Sequence, residues 1–102
     1  MPSIPQLEKL LALDPADAFV LYGLAMEYAR TAQNHRAFAY FDRCIAADPA
    51  YCYAYFHKAR VQSEAGLTGD AIDTLNRGNI AAKAAGDAEA MSEMRELLDQ
   101  LG

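Results

Sequence analysis

The sequence has no long apolar run, and no segment approaches the roughly 18 consecutive apolar residues of a membrane-spanning helix. Its beginning also lacks a basic region followed by an apolar stretch, so we predict neither an anchor nor a secretory signal and expect a cytoplasmic protein. Positive charge is scarce, because nine lysines and arginines face 14 acidic residues and leave a formal net charge of -5. An acidic surface repels phosphate backbones and anionic lipid, which excludes nucleic acid and membrane surfaces as expected partners.

Residues with reactive side chains are few, since the chain has two cysteines and two histidines. Cys44 and Cys52 fit neither a disulfide framework nor a paired metal motif, and Cys44 is interpreted as a packed thiol. His35 and His57 lack the one-turn spacing that binds zinc on a helix, and no glycine-rich phosphate loop is present. We therefore predict no catalytic residue, no metal site and no cofactor, with His35 as a solvated turn residue.

The chain does contain an internal repeat. The dipeptides Asp14-Pro15 and Asp48-Pro49 lie 34 residues apart, and a period of about 20 to 50 residues indicates stacked units that bury one another's apolar faces. Small and bulky apolar residues recur at helical spacing after each dipeptide. They are Leu21, Leu24, Ala25, Tyr28, Ala37, Phe41 and Cys44 in the first unit, and Tyr55, Ala59, Ala71, Leu75 and Gly78 in the second.

This pattern resembles the tetratricopeptide repeat, in which a large residue, leucine with a small residue, and an aromatic are followed by alanine, an aromatic and proline. The first unit matches nearly throughout, whereas the second departs at Lys58, Gln62 and Lys83. The resemblance covers roughly residues 16–86. It implies an all-α fold of antiparallel helical hairpins, stacked as a short right-handed solenoid with a C-terminal capping helix.

The spacing has a physical reason, because residues three and four apart share one face of a helix. Two helices whose apolar stripes face each other form an antiparallel pair. Their axes lie about 8–10 Å apart, and small residues at the contact allow the shorter distances. We expect close approach of the helices where Ala25 meets Ala37 and where Ala59 meets Ala71. Phe41 is expected to fill the space between the helices of the first hairpin.

The predicted organisation is one domain over residues 1–102. Its parts are an N-terminal half-repeat helix at 4–13, a first repeat at 16–49, a second repeat at 50–86 and a capping helix at 87–101. The acidic surface of the capping helix is interpreted as a solvated outer face with no partner of its own.

Local signals set the expected helix ends. Ser3 with Gln6 predicts a capping box, and Asp17 and Asp87 are candidate N-caps. The turn of the first hairpin is predicted at residues 33–35, with its second helix beginning at Arg36. Further helix starts are expected at Asp48-Pro49, as cap and first residue, and near Asp70, from which the helix runs on to Gly86 because Lys83 replaces a proline.

The family resemblance implies a concave inner side that binds extended or helical peptides, and hence a scaffold or interaction module with a protein or peptide partner. The residues predicted to line this groove face neither the hairpin partner nor the next unit. They are Phe19, Tyr22, Met26, Arg30, Tyr53, Phe56, His57 and Arg60, with Gly23 and Glu64 beside them. Aromatic rings and arginine often carry interface energy, and the two arginines predict a positive rim. The alternative is that several of these rings are ordinary core.

Two further expectations concern the ligand. One subclass of the family binds the terminal carboxylate of chaperone tails with lysine and asparagine, but the matching positions here hold Tyr22 and Met26, which favours an apolar or aromatic ligand. Alternatively, Tyr22 and Phe56 are buried by a second copy in a homodimer. Under the groove hypothesis, Tyr22→Ala or Phe56→Ala is expected to weaken partner capture and to leave the melting temperature nearly unchanged.

Overall fold

The computed structural model describes residues 2–102, and in that range it contains six α-helices and no strand. The helices are α1 (Ile4–Leu13), α2 (Ala18–Arg30), α3 (Asn34–Ala47), α4 (Cys52–Glu64), α5 (Thr68–Ala85) and α6 (Ala88–Leu101). The predicted all-α helical-repeat fold is thereby confirmed. Across the described residues, no helix combines the length and the apolar character that crossing a membrane requires.

The chain divides into two compact units at the junction between the predicted repeats. The first unit runs to Pro49 and the second comprises Ala50–Gly102. In the first unit, α2 packs against both α3 and α1. In the second unit, α4 packs against α5, and α6 contacts both of them.

The predicted helix N-caps are present. Gln6 N–H donates to Ser3 Oγ at 3.3 Å while Ser3 N–H donates to Gln6 Oε1 at 2.9 Å, which completes a capping box. The Asp17 carboxylate accepts from Val20 N–H at 3.2 Å, and the Asp87 carboxylate accepts from Ala90 N–H at 3.0 Å. Each side chain satisfies a backbone donor that the first helical turn leaves without an intrahelical partner.

The two Asp-Pro sites have nearly the same backbone conformation. Asp14 has φ -147° and ψ 93°, and Asp48 has φ -145° and ψ 92°. Each donates its N–H to the carbonyl four residues earlier and so ends a helix, α1 and α3 respectively. The expectation that Asp48 and Pro49 cap and begin α4 is wrong, because α4 begins three residues after Pro49 at Cys52.

The turns inside the two hairpins are also equivalent. Ala32 and Gly66, 34 positions apart, both have positive φ (59° and 82°). The residue after each donates its N–H five positions back, Gln33 to Tyr28 O at 2.9 Å and Leu67 to Gln62 O at 2.8 Å. Because the turns are this tight, α3 begins at Asn34 and α5 at Thr68, two residues before the predicted starts. His35 therefore lies in the first turn of α3, where it is exposed.

The core of the first unit is built as the repeat pattern predicts. Its fully buried residues include Leu21, Leu24, Ala25, Ala37, Phe41 and Cys44. A correction concerns Gly23, which was placed beside the groove. The structure buries it against α1, where an added Cβ would lie 3.3 Å from Leu7 Cδ2. The absence of a side chain thus permits the close approach of α1 to α2.

The second unit compensates for its departures from the repeat pattern. Gln62 stands where the first unit has Tyr28, and its Oε1 accepts a buried hydrogen bond of 2.7 Å from Thr74 Oγ1. A paired buried amide avoids the cost of an unsatisfied one. As predicted, α5 continues past Lys83 and ends at Gly86, whose φ of 70° is the left-handed C-cap conformation.

Candidate partner-binding surface

Four predicted groove residues lie on α2 in the first unit: Phe19, Tyr22, Met26 and Arg30, here called the α2 face. The side chain of Phe19 is 71% exposed, and Tyr22 and Met26 are half-buried. Tyr22 meets the buried ring of Phe41 edge to face, with 6.4 Å between ring centroids. Tyr22 thus supports the core as well as the surface. Tyr22→Ala is therefore expected to lower the melting temperature, contrary to the expectation from the sequence.

The corresponding residues of the second unit are Tyr53, Phe56, His57 and Arg60 on α4, here called the α4 face. Tyr53 is 37% exposed, and the other three are half-buried. The ring of Phe56 meets that of His57 edge to face at 5.1 Å between centroids. Arg60 Nε–H donates to His57 Nδ1 at 3.3 Å, so this nitrogen is an acceptor and carries no proton.

The arginines do not form the expected free positive rim. Arg30 Nη2 lies 2.9 Å from Glu27 Oε2, and Arg60 Nη1 lies 3.2 Å from Glu64 Oε1. Each guanidinium is therefore paired with a carboxylate on its own helix. The Arg60–Glu64 pair is exposed and contributes little to stability. Both pairs nevertheless neutralise the positive charge that the sequence pattern suggested.

His57 is uncharged at neutral pH. Burial, and then the adjacent Arg60 guanidinium, lower its pKa from 6.5 to about 4. Both causes act against the imidazolium, the first by removing water and the second by like-charge repulsion. The α4 face thus presents two aromatic rings and a neutral imidazole next to a paired arginine.

We predict that His57 makes the folded state sensitive to acid. Between its unfolded pKa of 6.5 and its folded pKa of about 4, the unfolded chain binds a proton that the folded chain does not, so stability falls as the pH is lowered through this window. In a His57→Gln variant the side chain does not titrate, so neither the folded nor the unfolded chain binds a proton at this position. Thermal unfolding at pH 7, 5.5 and 4.5 should show a smaller loss of melting temperature in the variant. Equal losses in both proteins would contradict the assignment.

A groove of about 470 Å³ lies within the second unit, between α4 and α6, and is here called the α4–α6 groove. It is lined by Phe56, Arg60, Ser63 and Glu64 of α4 and by Glu93, Glu96, Leu97 and Gln100 of α6. Phe56 and Arg60 were among the predicted residues, whereas the four residues of α6 were missed. The available signal was Leu97, an apolar residue on the same helical face as Glu93 and Gln100.

The negative charge of α6 reaches the α4 face. The pKa of Tyr53 is raised, first by the Glu93 carboxylate, then by burial and by Glu89 and Asp87. A raised pKa indicates negative potential at the phenol, because nearby carboxylates oppose formation of the negatively charged phenolate. The acidic residues of α6 are therefore part of the environment of the α4 face and do not only point to solvent.

The cysteines have the properties of packed thiols. Burial, followed by the Asp48 carboxylate, raises the pKa of Cys44 to about 11, and its Sγ donates to Ala18 O at 3.3 Å. A thiol with so high a pKa is a weak nucleophile at neutral pH. Cys52 Sγ donates to Ala50 O at 3.3 Å. Within residues 2–102, no three His, Cys, Asp or Glu side chains are grouped to hold a metal ion.

The chain is similar to known proteins along nearly its whole length. It is 30% identical over 98 residues to a TPR repeat-containing protein of Pseudomonas aeruginosa, covering 96% of this chain and 93% of that one. The chain belongs to the tetratricopeptide repeat (TPR) family. No family model matches the chain. The fold of TPR proteins is a protein-interaction fold.

Solved TPR structures agree with this assignment. A tetratricopeptide repeat domain protein from Salinibacter ruber is 32% identical, with a TM-score of 0.79 over 86% of this chain and 89% of that one. The TPR2B domain of yeast Sti1, solved as a complex with pHsp70, has a TM-score of 0.89 over 96% of this chain and 78% of that one. At 20% identity, the yeast domain supports the TPR fold alone.

Proposed function

We propose that this TPR protein is an interaction module that binds a peptide or partner segment through the α2 face and the α4 face. In this proposal Phe19, Tyr22, Tyr53 and Phe56 supply apolar contact area, and Met26 adapts to the ligand. Arg30, His57 and Arg60 are placed at the edges of the contact as polar groups. The module carries out no reaction of its own and needs no cofactor.

The proposal is supported by the placement of aromatic rings at equivalent repeat positions. Phe19 and Tyr53 lie 34 residues apart, as do Tyr22 and Phe56. Both positions are aromatic in both repeats, yet hairpin packing leaves Phe19 71% and Tyr53 37% exposed. Exposed apolar side chains lower the solubility of the free protein. Their recurrence at one repeat position favours a role in binding over a role in the core.

Partner capture by exposed-ring variants tests the proposal. A Phe19→Ala/Tyr53→Ala variant should keep its melting temperature, because substitutions of exposed side chains typically change stability by no more than about 0.5 kcal/mol. Capture of partner from native cell extract should fall roughly tenfold or more, since buried aromatic anchors contribute about 2 kcal/mol or more each. Quantitative pull-down with purified bait provides the measurement.

Ile80 on α5 supplies a matched control, because its side chain is 72% exposed but lies outside both faces. Ile80→Ala should capture partner as the wild type does. Undiminished capture by the double variant, or an equal loss with Ile80→Ala, would refute the assignment of the two faces.

Self-association is the competing hypothesis, in which a second copy covers the aromatic rings. Light scattering coupled to size exclusion separates the two. A monomer at high concentration rejects the homodimer, whereas a stable dimer that dissociates on Phe19→Ala/Tyr53→Ala would mean that the faces bind a second copy.

The proposal also places the protein in the cytoplasm. Cys44 and Cys52 are both buried as free thiols. Unbridged cysteines are typical of reducing compartments, where disulfides are rare. The net charge of -5 favours a protein partner over nucleic acid or a membrane surface.

A further inference from the structure

The α4–α6 groove combines an apolar part with a charged rim. Phe56 and Leu97, both half-buried, contribute the apolar surface from opposite helices. Its volume of about 470 Å³ lies within the range of about 300–1,000 Å³ that is usual for small ligand sites. The groove is therefore large enough for one or two side chains of a bound segment.

The charges of the rim are unequal, with three glutamates against one arginine. The arginine is already engaged, because Arg60 contacts Glu64 at 3.2 Å and His57 at 3.3 Å. Glu93 and Glu96 are different: among residues 2–102, neither has an ion-pair partner closer than 4.0 Å. The unneutralised charge of the groove thus comes from the two carboxylates of α6.

A cationic side chain suits this arrangement better than a neutral or anionic one. Glu93 and Glu96 are three residues apart on one helix and so lie on neighbouring positions of one face. An ammonium or guanidinium group between them would form charge-assisted hydrogen bonds and relieve their repulsion. The raised pKa of Tyr53 shows that the same negative potential extends along the α4 face.

We infer that the α4–α6 groove binds a partner segment in which a lysine or arginine lies beside an apolar side chain. The cation binds Glu93 and Glu96, and the apolar side chain packs between Phe56 and Leu97. The inference rests on the proposed function and specifies the ligand chemistry of the α4 face. It also reverses the role of the capping helix, whose acidic residues become part of the recognition surface.

A second copy of this chain is the main rival occupant. The outer side of α1 exposes Leu10 and Leu13 next to Lys9, which is one cation beside apolar side chains. That patch offers a single lysine in an otherwise acidic protein, so a foreign basic segment has the better charge complementarity.

Selection from a phage-displayed library of random 12-residue peptides tests the inference, with the full chain as bait. The peptides should be enriched in lysine or arginine next to leucine, phenylalanine or methionine. Their affinity, measured by fluorescence anisotropy, should fall about tenfold or more on Glu93→Gln/Glu96→Gln. A Glu93→Lys/Glu96→Lys bait should select acidic peptides instead.

An Asp70→Asn/Asp99→Asn bait is the control, because it changes the net charge equally at exposed residues outside the groove. It should bind the basic peptides as the wild type does. An equal loss with this control would show nonspecific attraction to an acidic protein and overturn the inference.

The remaining outcomes separate the inference from the proposed function. Peptides that depend on Phe19, Tyr53 or Phe56 but show no basic enrichment would overturn the inference and leave the proposed function standing. If no selected peptide depends on any of these rings, the proposed function fails as well. Self-association abolished by both Lys9→Glu and Glu93→Lys, and restored by combining the two changes, would identify a second copy as the occupant and overturn the inference.

Discussion

Phe41→Ala is expected to lower the free energy of unfolding by about 3–5 kcal/mol, the usual cost of truncating a fully buried phenylalanine. The side chain has 0% exposure and is the largest fully buried one in the described residues. Its loss opens a cavity between α2 and α3 and removes the ring that supports Tyr22. Because a domain of this size has about 5–15 kcal/mol in total, urea unfolding should show a much earlier midpoint.

Phe38→Ala provides the matched control for this change. Phe38 lies on the same helix, one turn earlier, and is only half-buried. The same chemical truncation should therefore cost clearly less. If Phe38→Ala proved as costly as Phe41→Ala, the burial pattern assigned to α3 would be wrong.

In Gly78→Ala, overpacking is expected to cost the second unit about 1–3 kcal/mol of stability. An added Cβ would lie 2.5 Å from Met94 Sδ and 2.7 Å from Tyr55 Cβ. The methionine can move, but the Tyr55 Cβ is bonded to the backbone of α4, so the helices must separate. Alanine normally stabilises a helix by about 1 kcal/mol relative to glycine, so the expected net loss is up to about 2 kcal/mol. Thermal or urea unfolding measures the net effect.

Gly69→Ala tests the same replacement without the clash. Gly69 is in the first turn of the same helix, and an added Cβ would have no atom within 4 Å. Its stability should be unchanged or slightly higher. A gain of stability for Gly78→Ala as well would contradict the close packing of α4, α5 and α6.

The sequence predicted the features that depend on neighbours along the chain. The half-repeat helix at 4–13, the Ser3 capping box and the buried Phe41 all follow from local spacing and cap chemistry. The start of α3 was misplaced by two residues because Ala32 adopts a positive φ that its side chain gives no reason to expect.

The features that were missed depend on contacts between distant helices. Periodicity marked Gly23 as open, but it cannot say which helix covers a face, and α1 lies there. Likewise, the acidic surface of α6 resembled a solvated face until the packing of α6 against α4 brought Glu93 and Leu97 beside Phe56. The positive rim failed for a different reason. Arg30 and Arg60 pair with Glu27 and Glu64 on their own helices, at spacings of three and four residues that the sequence already shows.

The central claim is that the α2 and α4 faces, and not the outer surfaces of the hairpins, bind the partner. Chemical-shift mapping of the ¹⁵N-labelled chain during titration with a captured partner segment tests it most directly. The account predicts that the largest changes fall on α2 and α4, around Phe19, Tyr22, Tyr53 and Phe56. Changes concentrated on α3 and on α5 around Ile80, with α2 and α4 unaffected, would contradict it.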